Sequence, residues 1–306
     1  MRPVRRLWRA ATVGLHARAA RLAAAHRDPG VVTTSWTAAA PIGPDVAIFA
    51  HYDPGGAVSD ETLGYLEALR DAGRTVLFAS NASALTDAAR QAVQVRCVGA
   101  LTRANAGHDF SAWRAAMLWW DLPRPETRTL LLVNDSVHGP FAPLAPLLAR
   151  MDLARADLWA LTDSVQRGAH LQSYFVLAGQ TALQNSAWPR FWAGVRPVRS
   201  REWAIVGGEL RFSRTMAAAG LRLAAVWPAE TVLARFLADP ARTDPERAQR
   251  ARVVAKVENG DPVNASIDLW RALLRLGCPF VKRDLTRRNR GRVADAAEIA
   301  LERARL

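Results

Sequence analysis

Cysteine is scarce in this sequence of 306 residues, which contains only Cys97 and Cys278. Two cysteines cannot form a zinc site alone, and they do not resemble the disulfide framework of a small secreted domain. The sequence therefore predicts a protein of a reducing compartment. We expect it in the cytoplasm, and a peripheral position on the inner face of the plasma membrane stays open.

Long hydrophobic runs are also lacking, and no apolar run approaches the roughly 20 residues that a spanning helix needs. The arginine-rich segment 1–27 is not followed by an apolar core of secretory type, so we predict no signal peptide. Its apolar residues recur at helical spacing, at Trp8, Ala11, Leu15, Ala19 and Leu22. A basic amphipathic helix of this kind lies on an anionic membrane surface or packs on the domain, and both alternatives stay open.

Several familiar catalytic motifs are missing. The sequence has no Walker phosphate loop, no Gly-x-Gly-x-x-Gly, no His-Glu-x-x-His and no Gly-x-Ser-x-Gly. These absences count against ATPases, nicotinamide enzymes, zinc proteases and serine hydrolases of the familiar kinds.

Positive charge is abundant. The formal net charge is +13 and the sequence pI is about 11.2, with arginine far more common than lysine. This balance favours an anionic partner such as a phosphate group, a nucleic acid or an acidic membrane, although an Ala/Arg-rich composition alone explains part of it. The charge is not organised in a recognisable nucleic-acid-binding motif, so we expect no nucleic-acid partner.

Short apolar segments alternate with helical patterns along the chain. This alternation predicts an α/β fold with a mostly parallel open sheet flanked by helices. We predict residues 1–45 as a basic helix and linker, 46–230 as the main domain, and 231–306 as a basic helical region packed on it. The predicted strands are 46–50, 75–79, 95–98, 129–133, 158–161, 173–177 and 221–226, and the helices are one beginning after Ser59, then 87–94, 111–120 and 210–219.

Polar residues follow three of these strands. Ligands of open α/β sheets bind outside the carboxyl ends of the strands, so these residues are the candidate ligand-binding residues. Asp135 could hold a divalent cation and Arg103 could neutralise a phosphate. The structural alternative is that Asp135 caps a loop and Asn105 forms a turn. The candidates are His51, Asp53, Arg103, Asn105, His108, Asp109, Asn134, Asp135 and Ser136.

Two later segments carry further candidates. A half-buried strand would place His170, Gln172 and Tyr174 on one face, where they line a pocket or simply face solvent. Glu209 follows two glycines at a predicted helix start. Its carboxylate serves either as a general base or as a favourable charge at the positive end of the helix dipole.

Six segments, in order, resemble the rhamnan synthesis F family, whose members belong among the glycosyltransferases of GT-A type. They are VAIFAHYDPGGAVSDETLGYLEALRDAG, TVLFASN, RANAGHDFSAW, LLLVNDSVHGP, HLQSYF and LWRALLRLGCPFVKRDL, and they span most of the chain. The resemblance implies a GT-A-like fold. It also implies a nucleotide-sugar donor, with rhamnose suggested by the family name, and a cell-surface polysaccharide or lipid-linked glycan as acceptor.

The resemblance implies that the candidate ligand-binding residues at the strand ends bind the donor, and it implies roles for individual residues. Segment 134–136 stands where GT-A enzymes carry an Asp-x-Asp motif, but only Asp135 is acidic. Asp135 would hold Mg²⁺ or Mn²⁺, or basic residues would replace the metal; Arg103, Lys282 and Arg283 are the candidates. Glu209 resembles the catalytic base of inverting members. His170, Gln172, Tyr174, Lys282 and Arg283 would form the acceptor and sugar pocket.

Two other functions stay open at this point. The missing second carboxylate is compatible with a non-catalytic or degenerate subunit of a glycan-assembly complex, and the net charge with a nucleic-acid-binding protein. The basic tail 282–292 faces either solvent, a lipid-linked pyrophosphate or an anionic membrane.

Overall fold

The computed structural model describes residues 32–38, 40–198, 200–287 and residue 299. The predicted amphipathic helix in segment 1–27 lies outside these residues, as does the part of the basic tail after residue 287. No helix in the described ranges is both long enough and apolar enough to cross a membrane.

A twisted sheet of nine strands forms the centre of the described residues, with the order β1-β4-β3-β2-β5-β9-β7-β10 and the short β8 paired with β7. Strands β2 to β5 are mutually parallel, β1 and β9 run antiparallel to their neighbours, and β10 is parallel to β7. A separate two-stranded ribbon joins β6 and β11. The strands are β1 (Val32–Thr37), β2 (Asp45–His51), β3 (Thr75–Ser80), β4 (Gly99–Arg103), β5 (Thr129–Asn134), β6 (Val137–His138), β7 (Leu158–Ser164), β8 (His170–Leu171), β9 (Phe175–Gly179), β10 (Leu223–Trp227) and β11 (Val281–Lys282).

Helices cover both faces of the sheet. They are α1 (Asp60–Asp71), α2 (Asp87–Gln94), α3 (His108–Trp119), α4 (Leu144–Ala149), α5 (Gln180–Gln184), α6 (Ala187–Ala193), α7 (Arg201–Trp203), a π-helical turn (Ala204–Leu210), α8 (Arg211–Ala218), α9 (Ala229–Ala238), α10 (Asp244–Glu258), α11 (Ala265–Asp268), α12 (Trp270–Arg275) and α13 (Asp284–Arg287).

Two apolar cores lie on opposite faces of the sheet because the side chains of each strand alternate between the faces. Phe49 of β2 packs in one core with α1, α9 and α12, whereas its neighbour Ile48 packs in the other with α3, α6 and α8. Every residue of β5 is buried, as a central parallel strand covered on both faces requires. The predicted α/β class with a mostly parallel, Rossmann-like sheet is confirmed.

Several helices and strands lie where capping residues and apolar runs in the sequence predict them. Ser59 caps α1 by accepting a hydrogen bond from the backbone N–H of Thr62 at 3.3 Å. Helix α2 has the predicted bounds, and Thr86 caps it in the same way. The parallel strand–helix–strand unit from β2 through α1 to β3 is also confirmed.

Two predictions about elements are wrong. The strand predicted at 95–98 lies instead at β4, because Val95 is the exposed C-cap of α2 and the buried strand begins only at Gly99. The segment predicted as a linker contains β1, which pairs with β4 at the sheet edge. Its Thr- and Ser-rich sequence is half exposed, so it lacks the apolar run of a central strand. The domain divisions after residues 45 and 230 stay predictions.

Candidate functional site

A polar cleft of about 460 Å³ opens at the carboxyl ends of the central strands. The cleft is lined by residues at or after the ends of β4, β5 and β7. Residues of β8, of the π-helical turn and of the C-terminal region complete the lining. The lining residues are His108, Asp109, Phe110, Asn134, Ser136, Gln166, Arg167, His170, Gln172, Ser173, Ala204, Ile205, Glu209, Asn264, Ser266, Ile267, Lys282 and Asp284.

A chain of hydrogen bonds runs along one wall of this cleft. Lys282 Nζ donates to Ser136 Oγ at 3.1 Å, and that hydroxyl donates in turn to Asn134 Oδ1. Asn134 Nδ2 donates to Asp109 Oδ2 at 2.8 Å. Asn134 therefore accepts through Oδ1 and donates through Nδ2, and these two hydrogen bonds together fix the orientation of its amide group. The structure thus brings together four residues that are predicted to bind the donor or the acceptor.

Lys282 reaches this wall through long-range strand pairing. In the ribbon, Lys282 of β11 lies opposite Val137 of β6, directly after Ser136. The ammonium group also lies 4.1 Å from the centre of the Tyr174 ring, a cation–π distance. Lys282 therefore presents a positive charge beside the end of β5.

Asp109 is an unusual carboxyl group at the start of α3. Burial, reinforced by the nearby carboxylates of Asp135 and Glu209, raises its pKa from 3.8 to about 7, although Lys282 and the bond from Asn134 act in the opposite direction. A carboxyl that titrates near neutral pH inside a cleft is a mark of a functional site.

The loop before α3 requires a left-handed backbone. Gly107 has φ 83° and His108 has φ 53°, and a Cβ on Gly107 would lie 2.0 Å from Ser111 Oγ. His108 lines the cleft, whereas Asn105 is exposed and lies outside the lining.

Arg103 supports this loop from beneath. Its side chain is 1% exposed and donates to Asn81 Oδ1 and, at 3.0 Å, to the carbonyl of Ala106. Asn81 also donates to the carbonyl of His108 at 3.3 Å. Arg103 does not line the cleft, so the contacts described here give it a positioning role, and its contact with a phosphate stays a prediction.

The end of β2 lies beside the end of β5. Asp135 Oδ2 accepts the backbone N–H of Tyr52 at 3.2 Å, which joins the two strand ends. Asp53 accepts the N–H groups of Gly55 and Ala57 and so holds the following turn. His51 is buried next to Ser80, and its pKa is lowered by burial, which outweighs the carboxylates of Asp135 and Asp53.

Glu209 faces the cleft from the π-helical turn. Both the N–H and the Oγ–H of Ser173 donate to Glu209 Oε1, at 3.1 and 2.6 Å, and His170 Nε2 lies 3.9 Å from Oε2. His170 Nδ1 is 2.8 Å from the carbonyl of Gly168, which can only accept, so this nitrogen carries the proton. Isolated π-helical turns are common at functional sites.

Tight packing accounts for the two glycines in this turn. A Cβ on Gly207 would lie 2.5 Å from the Trp203 ring, and one on Gly208 would lie 2.7 Å from the Phe110 ring. Only glycine allows the turn to approach both rings so closely, and this approach brings Glu209 to the cleft.

His170 and Gln172 both line the cleft, but Tyr174 lies beneath it. Thr162 Oγ1 donates to Gln172 Oε1 at 2.7 Å, so the Tyr174 hydroxyl donates to Thr162. Burial raises the Tyr174 pKa well above its usual value. The three residues do not lie on one face of a strand, because β8 ends at Leu171.

Arg283 is not among the residues that line the cleft, and its side chain joins a partly buried ion network. It donates to the carbonyl of Val137 and to Glu61 Oε2, both at 2.9 Å. Glu61 also accepts from His138 Nδ1 and from the Gly139 N–H. Burial acts to raise the pKa of Glu61, but these donors outweigh it and lower the pKa. The network ties α1 to β6 and β11 behind the site.

Sequence reasoning missed Ser173 and Asn264. Ser173 lies within the polar segment that supplied three candidates, and its contact with Glu209 depends on a residue 36 positions away. Asn264 caps α11 and accepts from Gln172 Nε2 at 3.4 Å. The sequence signal that could have identified Asn264 is its place as an N-cap residue directly before a short helix.

Among the described residues, no group of three or more His, Cys, Asp and Glu side chains is arranged to hold a metal ion. Asp135 is not among the residues that line the cleft, and its Oδ2 accepts a hydrogen bond from the backbone N–H of Tyr52. Mg²⁺ sites often use only one or two carboxylates and complete the shell with water and substrate phosphates, so metal binding at Asp135 stays a prediction.

The fold and the cleft define a Rossmann-like α/β protein with a polar site at the carboxyl ends of its strands. The family described as Rhamnan synthesis protein F matches residues 76–254, more than half of the chain. The chain belongs to this family.

Two curated relatives are similar to the chain at 25% identity. One is the uncharacterized protein y4gN of Sinorhizobium fredii (strain NBRC 101917 / NGR234), matched over 64% of this chain and 52% of the relative. The other is the virulence protein VirA of Vibrio anguillarum (strain ATCC 68554 / 775), matched over 62% of each chain. The chain thus spans between half and two thirds of the length of these relatives.

Proposed function

We propose that this chain is a GT-A-type glycosyltransferase that transfers a sugar, rhamnose in the simplest case, from a nucleotide-sugar to a cell-surface polysaccharide or lipid-linked glycan. The family supports a role in polysaccharide synthesis. The observation that carries the proposal is Glu209, a carboxylate oriented by Ser173 in the cleft that also contains Asp109, Asn134 and Lys282.

In the proposed reaction, Glu209 accepts the proton of an acceptor hydroxyl as the hydroxyl oxygen attacks the anomeric carbon. Ser173 holds Oε1 with two donors, which leaves Oε2 to face the acceptor. The bond from the anomeric carbon to the diphosphate oxygen breaks, and the nucleoside diphosphate leaves. A single displacement of this kind inverts the anomeric configuration.

Charge on the leaving diphosphate needs compensation. Lys282, held between Ser136 and the Tyr174 ring, supplies a positive charge at the end of β5. A divalent cation at Asp135, Mg²⁺ or Mn²⁺, would supply further neutralisation there. His170 and Gln172 also line the cleft, and we place the acceptor beside them. We place the protein in the cytoplasm, where nucleotide-sugars are the donors.

The test compares Glu209→Gln with Glu230→Gln, since Glu230 is an exposed glutamate at the start of α9 and lies outside the cleft lining. Loss of a general base costs roughly 100- to 10,000-fold in turnover. We expect Glu209→Gln to lose turnover on this scale while nucleotide binding, followed by calorimetry, stays within about twofold because the donor contacts are unchanged. Glu230→Gln should match the wild type in both.

Near-wild-type turnover by Glu209→Gln would remove this residue from the role of base. Nucleotide binding without turnover in the wild type, tested across donors and acceptors, would instead support a non-catalytic subunit.

A further inference from the structure

A second concave surface lies outside the cleft, between α6 and α8. This groove of about 530 Å³ is lined by three arginines and by small or apolar residues, and none of the lining residues is acidic. The lining residues are Ala187, Arg190, Phe191, Arg211, Arg214, Thr215, Ala218 and Ala219.

Backbone carbonyls hold all three guanidinium groups. Arg190 Nε donates to the carbonyl of Ser186 at 3.0 Å, and Arg214 Nη2 donates to the carbonyl of Arg167 at 3.2 Å. Arg211 donates to the carbonyl of Phe191 at 3.2 Å and lies 4.7 Å from the centre of its ring. For Arg190 and Arg214, these carbonyl partners orient the guanidinium without cancelling its charge, and each guanidinium carries five N–H donors.

The segment of sequence that contains α6 and α8 is itself rich in arginine. Residues 185–220 contain six arginines and two glutamates. Of these glutamates, Glu209 faces the cleft, and Glu202 forms an ion pair with Arg167. The groove therefore has the electrostatic character of a site for phosphate groups, which arginine binds in a bidentate manner.

Exposed apolar side chains lie on the same helical layer, because α3, α6 and α8 all pack on one face of the sheet. Leu118 is 66% exposed and Trp119 is 50% exposed. Leu118 follows Arg114 by one helical turn, and Arg114 Nε donates to the carbonyl of Trp192 on α6 at 3.0 Å. The exposed pair is thus on the helix that adjoins α6.

We propose that the outer surface of α3, α6 and α8 lies on an anionic lipid bilayer, with lipid phosphates in the arginine groove and Leu118 and Trp119 in the interfacial region. Basic residues near an anionic leaflet and exposed tryptophan or leucine are the two contributions that hold peripheral proteins on membranes. This surface is distinct from the basic segments 1–27 and 282–292.

The position of the groove relates this surface to the cleft. The carbonyl of Arg167 binds Arg214, while Arg167 itself lines the cleft. An acceptor carried on a lipid would then reach the cleft from the membrane side. Membrane binding itself does not depend on glycosyl transfer, so failure of one proposal leaves the other testable.

The experiment measures co-sedimentation of the full chain with phosphatidylcholine vesicles that contain or lack phosphatidylglycerol. The test variant replaces Arg190 and Arg214 with glutamine, and the control replaces Arg90 and Arg252, which are exposed and lie outside the groove. Both double variants lower the net charge equally. We expect wild type and control to bind vesicles with phosphatidylglycerol, and the test variant to bind roughly tenfold or more weakly.

Each double variant is first checked for a wild-type melting transition, so that misfolding is not read as lost binding. Equal binding by all three proteins, or an equal loss in both double variants, would overturn the assignment to the groove. Trp119→Ala tests the apolar contribution, and we expect severalfold weaker binding at high salt, where charge attraction is screened. Unchanged binding by this variant would overturn the placement of Trp119 in the interfacial region.

Discussion

Replacing Asp109 with asparagine should stabilise the protein at alkaline pH. The carboxyl of Asp109 is held among other carboxylates, and its pKa is about 7 instead of 3.8. The folded chain keeps a proton that the unfolded chain has released across this interval. The contribution of Asp109 to stability is therefore complete below about pH 4 and is lost as the pH rises to about 7.

The size of the effect follows from the shift. One pKa unit corresponds to about 1.4 kcal/mol, so a shift of this size costs at most about 4 kcal/mol above pH 7. Water entering the cleft reduces this value, and we expect about 2–4 kcal/mol. Asparagine carries no charge at any of these pH values and can still accept the hydrogen bond from Asn134 through Oδ1.

The assay is urea unfolding of wild type, Asp109→Asn and the control Asp71→Asn at pH 5 and pH 8, with a chelator present. The chelator matters because a bound cation would stabilise the ionised carboxylate. Asp71 is exposed on α1, so its variant should follow the wild type at both pH values. The reasoning is refuted if the difference between Asp109→Asn and wild type is the same at pH 5 and pH 8.

Two further predictions concern stability. Glu61→Gln should lower the free energy of unfolding by about 1–2 kcal/mol, because it weakens the charge-assisted bond to Arg283. Urea unfolding checks this, and a loss no larger than that of the variant Glu126→Gln, at an exposed position, would contradict it. Gly208→Ala should cost about 1–3 kcal/mol by overpacking, since its Cβ would meet the Phe110 ring at 2.7 Å; a wild-type melting temperature would show that the ring yields instead.

Much of the sheet could be predicted because its central strands are short, continuous apolar runs that end in polar residues. Segment 129–133 is entirely buried as part of β5, and Asn134 and Ser136 follow at the cleft. Local chemistry, such as the Ser59 cap, was equally visible. The edge strand β1 could not be predicted from the sequence, because its Thr- and Ser-rich segment has no apolar pattern.

The roles of basic residues could not be predicted from their positions along the chain. Lys282 and Arg283 are neighbours, yet the first faces Ser136 in the cleft and the second binds Glu61 behind it. The two side chains diverge where β11 ends at Lys282, and the two-residue strands β6 and β11 have no sequence signature that predicts this end. Arg103 is likewise used within the protein, because a buried guanidinium needs acceptors.

The most direct test of the proposed function is glycosyl transfer by the purified full chain. Nucleoside diphosphate release is measured across a panel of uridine, guanosine and thymidine diphosphate sugars, with Mg²⁺, with Mn²⁺ and with a chelator. We predict sustained release from one nucleotide class, and its loss in Glu209→Gln but not in Glu230→Gln. Release from no donor by a folded protein, or equal release by Glu209→Gln, would contradict the account.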